Sequence, residues 1–259
     1  MCAPMAATSI NAFDDSIVHW LNAMVGRSPM FDKAMAFVSG NALIQGALFI
    51  SIFWYYWFSP TDAANRKRTR EHLLCTFAGG MVAIVVGRTL ALTLPFRMRP
   101  RFEPSLHFVL PQGLDPGTFW DWSAFPSDHA VMFSALATGL FFISWRVGLL
   151  SLLYTIVIVL FPRLYLGIHY ATDLLAGMAL GAICGVFVNV APTRARISGW
   201  ALRLEHTSPG AFYVAMFIAT FLFATMFDSL RDGAQSAWHL VAQLMGGHAG
   251  SSVEHIVRK

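Results

Sequence analysis

The chain has 259 residues, of which 56% are apolar and only 12% are charged, and its formal net charge at pH 7 is +4. A charged fraction of 12% is too small and a mean hydropathy of +0.56 too high for an ordinary soluble domain, so the composition is typical of a membrane protein. No nucleic-acid partner is needed to explain the positive charge, because the basic residues stand in short segments beside apolar runs.

The apolar runs predict an all-α, polytopic membrane protein. A first segment, about 11–33, mixes apolar and charged residues at helical spacing, and we expect it to lie along the membrane surface rather than to form a signal peptide. Six runs of suitable size then predict six transmembrane helices, since about 20 apolar residues span a bilayer. They cover 37–58, 73–94, 125–145, 147–161, 170–190 and 212–227, and the short fourth helix is expected to stop at Pro162. One membrane-embedded domain (1–259) would then comprise the surface segment, a core of about 34–230 and a tail of about 231–259.

Lys and Arg in the loops orient such a chain, because basic loops stay in the cytoplasm. If the basic run 66–70 is cytoplasmic, eight basic residues lie on that side and nine on the other. The second count falls to six when Arg97, Arg99 and Arg163 are set aside as functional. We therefore expect the loops with these three arginines to face away from the cytoplasm.

Three polar clusters fall at this same membrane face. "LPFRMRPRF" (94–102) follows the second predicted helix, "PSDH" (126–129) opens the third, and "RLYLGIHYATD" (163–173) joins the fourth to the fifth. Each has an ordinary explanation alone, since interfacial arginines snorkel and Ser127 is suited to be a helix N-cap. Their coincidence at one face predicts a single site.

The residue types in these clusters favour phosphate chemistry. His169 and Asp173 are four residues apart, so on a helix the carboxylate can hold one ring nitrogen and leave the other as a nucleophile or base. Together with His129 they could also ligate a metal. The nearby guanidiniums would instead repel a cation and attract a tetrahedral oxyanion, to which helix N-terminal N–H groups add donors.

These residues resemble the type 2 phosphatidic acid phosphatase superfamily, integral-membrane lipid phosphatases related to acid phosphatases and vanadium haloperoxidases. The first family motif, a Lys followed seven residues later by Arg-Pro, ends here in Arg99-Pro100, and the second, Pro-Ser-Gly-His, stands as "PSDH". The third, Ser-Arg with His six residues after the Arg and Asp four after the His, is carried by Arg163, His169 and Asp173.

The chain departs from the family pattern at three positions: Leu92 replaces the motif lysine, Asp128 the glycine and Pro162 the serine. We expect Arg97 to supply the missing charge, with Arg88 as the less favoured substitute. An acid beside bound phosphate is unfavourable, so Asp128 is expected to point out of the pocket, pairing with an arginine such as Arg101 or favouring protonated His129. Asp128→Gly should then retain or raise activity.

The resemblance implies a metal-independent phosphatase without a cofactor, acting on a lipid phosphate or diphosphate in the bilayer through a phosphohistidine. It implies that His169 is the nucleophile, that Asp173 orients it, and that His129 is the general acid and then the base. The implied phosphate-binding residues are Arg97, Arg99, Ser127 and Arg163. Polyprenyl diphosphate, phosphatidate, phosphatidylglycerol phosphate and lipid A phosphates all fit a site on the outer face of a bacterial inner membrane.

Two other functions remain open from the sequence. A phosphotransferase would pass the phosphoryl or headgroup from the same phosphohistidine to another lipid or a sugar. An anion channel or carrier would use the arginines for selection only, which leaves the spacing of His169 and Asp173 unexplained. The loop 101–122 is the expected entrance, with Trp120 and Trp122 at headgroup depth.

Overall fold

The computed structural model describes residues 10–59, 62–113 and 122–225, and the regular structure in these ranges is helical. The helices are α1 Ala12–Asn22, α2 Pro29–Gly40, α3 Ala42–Phe58, α4 Ala63–Thr93, α5 Asp128–Phe141, α6 Trp145–Tyr154, α7 Phe161–Tyr165, α8 Ala171–Asn189, α9 Ala191–Thr207 and α10 Pro209–Ala224. The all-α prediction is confirmed for this part of the chain. The predicted tail and Trp120 lie outside the described residues.

Three or four membrane spans are supported within the described ranges. Three helices are long and apolar enough, namely α4, α8 and the continuous stretch Trp145–Tyr165, and the bent pair of α2 and α3 adds a fourth if the pair is one span. Helix α5 has 14 residues, which at 1.5 Å per residue gives about 21 Å, short of a hydrocarbon core of about 30 Å. Six transmembrane helices are therefore not confirmed.

Several predicted helix boundaries differ from the structure, and two of the differences bear on the site. The run 37–58 is broken at Asn41, whose extended backbone separates α2 from α3 at an angle of 55° and whose side chain caps the N–H of Ile44. The predicted stop at Pro162 is wrong. A π-helical segment, Thr155–Leu160, joins α6 to α7, and the helix continues to Tyr165. Pro162 stands in the first turn of α7, where its missing N–H breaks no hydrogen bond within α7.

Helices α5 and α8 pack at close range because α8 presents glycines to α5. Gly177, Gly181 and Gly185 recur every four residues on one face of α8. A Cβ at Gly181 would lie 2.2 Å from the carbonyl oxygen of Val131 in α5, so a larger residue would force the backbones apart. This approach sets the start of α5, with the second motif, beside the start of α8, with the third.

The N-terminal helices are fastened to the same end of the bundle through buried acids. Asp32 of α2 is fully buried. Its carboxylate accepts hydrogen bonds from the Tyr165 hydroxyl at 2.5 Å and from the Gly26 N–H at 3.1 Å. The segment predicted to lie along the membrane surface thus begins with a helix, α1, that packs on the bundle; its position relative to a membrane stays a prediction.

Candidate active site

A cavity of about 160 Å³ opens where the three motifs meet. Its walls come from the break between α2 and α3, the end of α4, the start of α5 and the loop before α8. Its ionisable lining residues are Arg88, Arg99, Asp128, His129, Arg163 and His169. The structure therefore brings together both histidines and two of the arginines that the motifs single out.

The ring of His169 is held in one orientation. It is buried, and its Nδ1 donates to the carbonyl oxygen of Ala124 at 2.8 Å. Its Nε2 lies 3.4 Å from Nη1 of Arg99, a group that only donates, so Nε2 carries the lone pair. Burial lowers the pKa of His169 to about 4, with the charge of Arg99 acting in the same direction and Asp173 against it. His169 is accordingly neutral at pH 7, with the lone pair of Nε2 toward Arg99.

Asp173 was expected to hold this ring, and the structure gives that task to a backbone carbonyl. Oδ2 of Asp173 lies 3.8 Å from Nδ1 of His169, beyond hydrogen-bonding distance. The same oxygen accepts from the N–H of Tyr170 at 2.8 Å. The contact from Ala124 could not be found from sequence, because every residue type carries a carbonyl. Asp173 remains near enough for its charge to stabilise a cationic ring.

Arg97 is bound by carboxylates and is not among the residues that line the cavity. Its guanidinium donates to Asp173, to the Thr172 hydroxyl at 2.9 Å and to Asp14 at 2.7 Å, and it stacks over Tyr170 at 4.2 Å. Both aspartates are fully buried, and a buried carboxylate depends on a paired cation because water does not solvate it. This geometry does not support the predicted phosphate contact of Arg97.

Asp14 of α1 is a residue that the sequence reasoning missed. Its carboxylate accepts from the N–H of Thr172 at 3.0 Å and from the Thr172 hydroxyl at 2.5 Å. Burial acts to raise its pKa, but the hydrogen bonds from Thr172, Arg97 and Asn11 outweigh burial and the pKa of Asp14 is lowered. The only signal in the sequence was the acidic pair 14–15, which reads as an ordinary polar face.

Arg99 lies against the proposed nucleophile. It donates to the carbonyl oxygens of Ile168 at 2.9 Å and Trp122 at 3.1 Å. Burial, and then the charge of Arg101, lower the pKa of Arg99 to about 10, so it remains a cation at neutral pH. A buried guanidinium beside Nε2 of His169 is suited to bind the phosphate that this nitrogen would attack.

A hydrogen bond to Gln45, in the N-terminal region, orients the Arg163 guanidinium. Its Nη2 donates to Oε1 of Gln45 in α3 at 2.9 Å, and its Nη1 to the carbonyl oxygen of Val159 at 2.6 Å. The Gln45 amide nitrogen donates to the carbonyl oxygens of Val38 and Ser39 at the end of α2. The break between α2 and α3 is therefore built into the cavity wall. A buried polar residue inside an apolar run was the available signal.

The second motif contributes residues of different kinds. Ser127 is fully buried and does not line the cavity; its hydroxyl accepts from the N–H of Ala130 at 3.5 Å, as an N-cap does. This geometry does not support the predicted phosphate contact of the Ser127 side chain. The next residue but one, His129, does line the cavity, with its ring stacked on Phe133 at 6.3 Å.

Asp128 lines the cavity, which corrects the expectation that it points away. Its Oδ2 lies 2.5 Å from Nη2 of Arg88 in α4, so Asp128 forms an ion pair with Arg88. The Arg88 guanidinium also lies 4.2 Å from the ring centroid of Trp122. Arg88, the less favoured of the two candidates to replace the missing lysine, therefore lines the cavity, whereas Arg97 does not.

Comparison with known proteins agrees with the motifs. The family model of the PAP2 superfamily matches residues 72–197, a range that contains all three. The protein named "Undecaprenyl-diphosphatase BcrC" of Bacillus subtilis (strain 168) is 22% identical over 165 residues, which cover 64% of this chain and 77% of that protein. No solved structure matches the chain. With apolar helices around a cavity that joins its three motifs, the chain is similar, over residues 72–197, to the PAP2 superfamily.

Proposed function

We propose that this protein hydrolyses a lipid diphosphate within the membrane through a phosphohistidine on His169. The observation that carries the proposal is the neutral, oriented Nε2 of His169 beside the Arg99 guanidinium, in the cavity that His129 also lines. A channel or carrier needs no nucleophile with a fixed tautomer, whereas phosphoryl transfer does.

In the first half-reaction the arginines bind the phosphate oxygens, His169 attacks phosphorus, and His129 protonates the leaving group. Arg99 and Arg163 would donate to the equatorial oxygens and stabilise the charge of the transition state. Nε2 of His169 attacks phosphorus, so an N–P bond forms while the P–O bond to the lipid portion breaks. His129, protonated on binding the anionic substrate, gives its proton to the departing oxygen.

In the second half-reaction water releases the phosphate. His129, now neutral, accepts a proton from a water molecule as the water oxygen attacks phosphorus and the N–P bond breaks. Inorganic phosphate leaves and His169 returns to its neutral form. The nearby charge of Asp173 and the carbonyl of Ala124 support the ring while it carries positive charge.

A polyprenyl diphosphate is the substrate class that we favour. The Bacillus subtilis relative is named for an undecaprenyl diphosphatase activity, and the cavity adds a further arginine, Arg88, to the two that would hold one phosphate. The proposed location is a bacterial inner membrane with the cavity toward the periplasm. Phosphatidate, phosphatidylglycerol phosphate and lipid A phosphates are the competing substrates.

Phosphate release from a panel of these lipids, by protein purified in detergent with EDTA present, tests the proposal. We expect the highest kcat/KM with the polyprenyl diphosphate and a loss of about 10³-fold or more in His169→Ala and His129→Ala. His206→Ala in α9, remote from the cavity, is the matched control and should keep full activity. Undiminished turnover in His169→Ala would refute the nucleophile, and label on a lipid instead of free phosphate would indicate a transferase.

A further inference from the structure

Two departures from the family pattern meet at one place in this structure. Leu92, at the position of the motif lysine, is 85% exposed and does not line the cavity. Arg88, four residues earlier, lies one helical turn deeper in α4 and does line it, together with Ala91, which shares its helix face. The partner of Arg88 is Asp128, the residue in place of the motif glycine.

The contacts of Arg88 hold it at the cavity without enclosing it. Its side chain remains 38% exposed and that of Asp128 20% exposed. In the described part of the chain the ion pair uses Nη2 of Arg88, so other N–H groups of the fork can serve a bound oxyanion. The ring of Trp122 under the guanidinium fixes its plane.

The pair also removes the electrostatic objection to an acid in this cavity. A solitary carboxylate would repel phosphate, whereas a carboxylate bound to a guanidinium has its charge offset. Asp128 is the first residue of α5, where the helix dipole further favours a negative charge. An arginine that starts one turn deeper is long and flexible, and a carboxylate limits the rotamers that it samples. Glycine, with no side chain, could not do this.

We propose that Arg88 binds substrate phosphate in place of the family lysine and that Asp128 is the positioning residue that holds Arg88 at the cavity. This inference rests on the function proposed above. It reverses the expectation for Asp128→Gly, which should lower activity instead of retaining or raising it.

Steady-state kinetics on a polyprenyl diphosphate in detergent micelles test the pair as a unit. We expect Arg88→Met to lower kcat/KM by about 30-fold and Asp128→Asn or Asp128→Gly by about tenfold, with Arg88→Lys between wild type and Arg88→Met. The double variant Arg88→Met/Asp128→Asn should be no worse than Arg88→Met alone, because Asp128 acts through Arg88. Arg146→Met in α6, an exposed arginine that stacks on Trp145, is the matched control and should be unaffected.

Losses that multiply in the double variant, or wild-type activity in Asp128→Gly, would overturn the positioning role. Wild-type activity in Arg88→Met would overturn the whole inference.

Binding of inorganic phosphate, measured by calorimetry on the same proteins, separates this inference from the proposed function. Wild type that binds phosphate without turnover would refute the hydrolase, while about tenfold weaker binding by Arg88→Met would still support the pair. Equal binding by wild type and Arg88→Met, or none by either, would refute the role of Arg88.

Discussion

Two arginine–carboxylate clusters lie near the cavity, and they differ in their access to solvent. In the buried network, which comprises Asp14, Arg97, Thr172 and Asp173, both carboxylates are fully buried, and the Arg97 side chain is 21% exposed. In the cavity pair, Arg88 and Asp128, both side chains remain partly exposed. The same chemical groups are thus used once to hold helices together and once at a surface that a substrate can reach.

Burial decides which role each cluster can take. Removing the cation from a buried network leaves uncompensated charges in a medium that cannot solvate them. Breaking a partly exposed pair costs little stability, because water replaces the lost partner. The buried network should therefore control folding and the position of α1 on α8, and the cavity pair should control substrate binding.

Arg97→Met should have the largest effect on stability. We expect a loss of about 3–5 kcal/mol in the free energy of unfolding, because Asp14 and Asp173 lose their shared cation. Chemical denaturation in detergent measures it, with Arg88→Met as the matched control, expected to change stability by about 1 kcal/mol or less. Equal losses in both variants would abolish the distinction between the clusters.

Asp14→Ala should have a smaller effect, since Arg97 keeps Asp173 as a partner. We expect a loss of about 1–3 kcal/mol, with the Thr172 N–H and hydroxyl left without their acceptor. Faster amide exchange confined to α1 would identify local release of this helix. Asp15→Ala, at the neighbouring residue whose side chain is half-exposed, is the control, and release of α1 in that variant would count against the role of Asp14.

The contribution of Asp14 should depend on pH in a defined direction. Its pKa is lowered in the folded protein, so the stabilisation is complete above the unfolded value of about 4 and is lost as pH falls through the folded value. The stability difference between wild type and Asp14→Asn should therefore be constant from about pH 8 to pH 5 and shrink below about pH 4. A difference that grows on acidification would contradict the lowered pKa.

Ionic strength should affect the two clusters differently, and this is the smallest effect that we expect. Between about 0.05 M and 0.5 M salt, the ratio of kcat/KM between wild type and Arg88→Met should fall by about two- to threefold, because solvent-exposed charges are screened. The stability loss of Arg97→Met should change little over the same range. Salt dependence of that loss would show that the buried network is reached by solvent.

Much of the site follows from local sequence. Apolar runs predict helices because burial in a bilayer requires them, and the order of the three motifs at one face predicts a shared cavity. The structure brings Arg99, His129, Arg163 and His169 together there. The number of spans does not follow in the same way, because a single residue such as Asn41 can break a run whose composition is uniformly apolar.

Composition and spacing within short segments are enough to predict the helical class, the resemblance to the family and the candidate phosphate-binding residues. The pairing of the charged side chains depends instead on the packing of the helices. Arg97 meets Asp14, 83 residues away in sequence, Arg88 meets Asp128 across two helices, and a carbonyl from Ala124 holds His169. Such contacts depend on how the helices pack. A backbone carbonyl is present in every residue, so no residue type in the sequence marks the one that holds His169. That is why Arg97, favoured by its place in the motif, lies in the buried network, while Arg88 lies at the cavity.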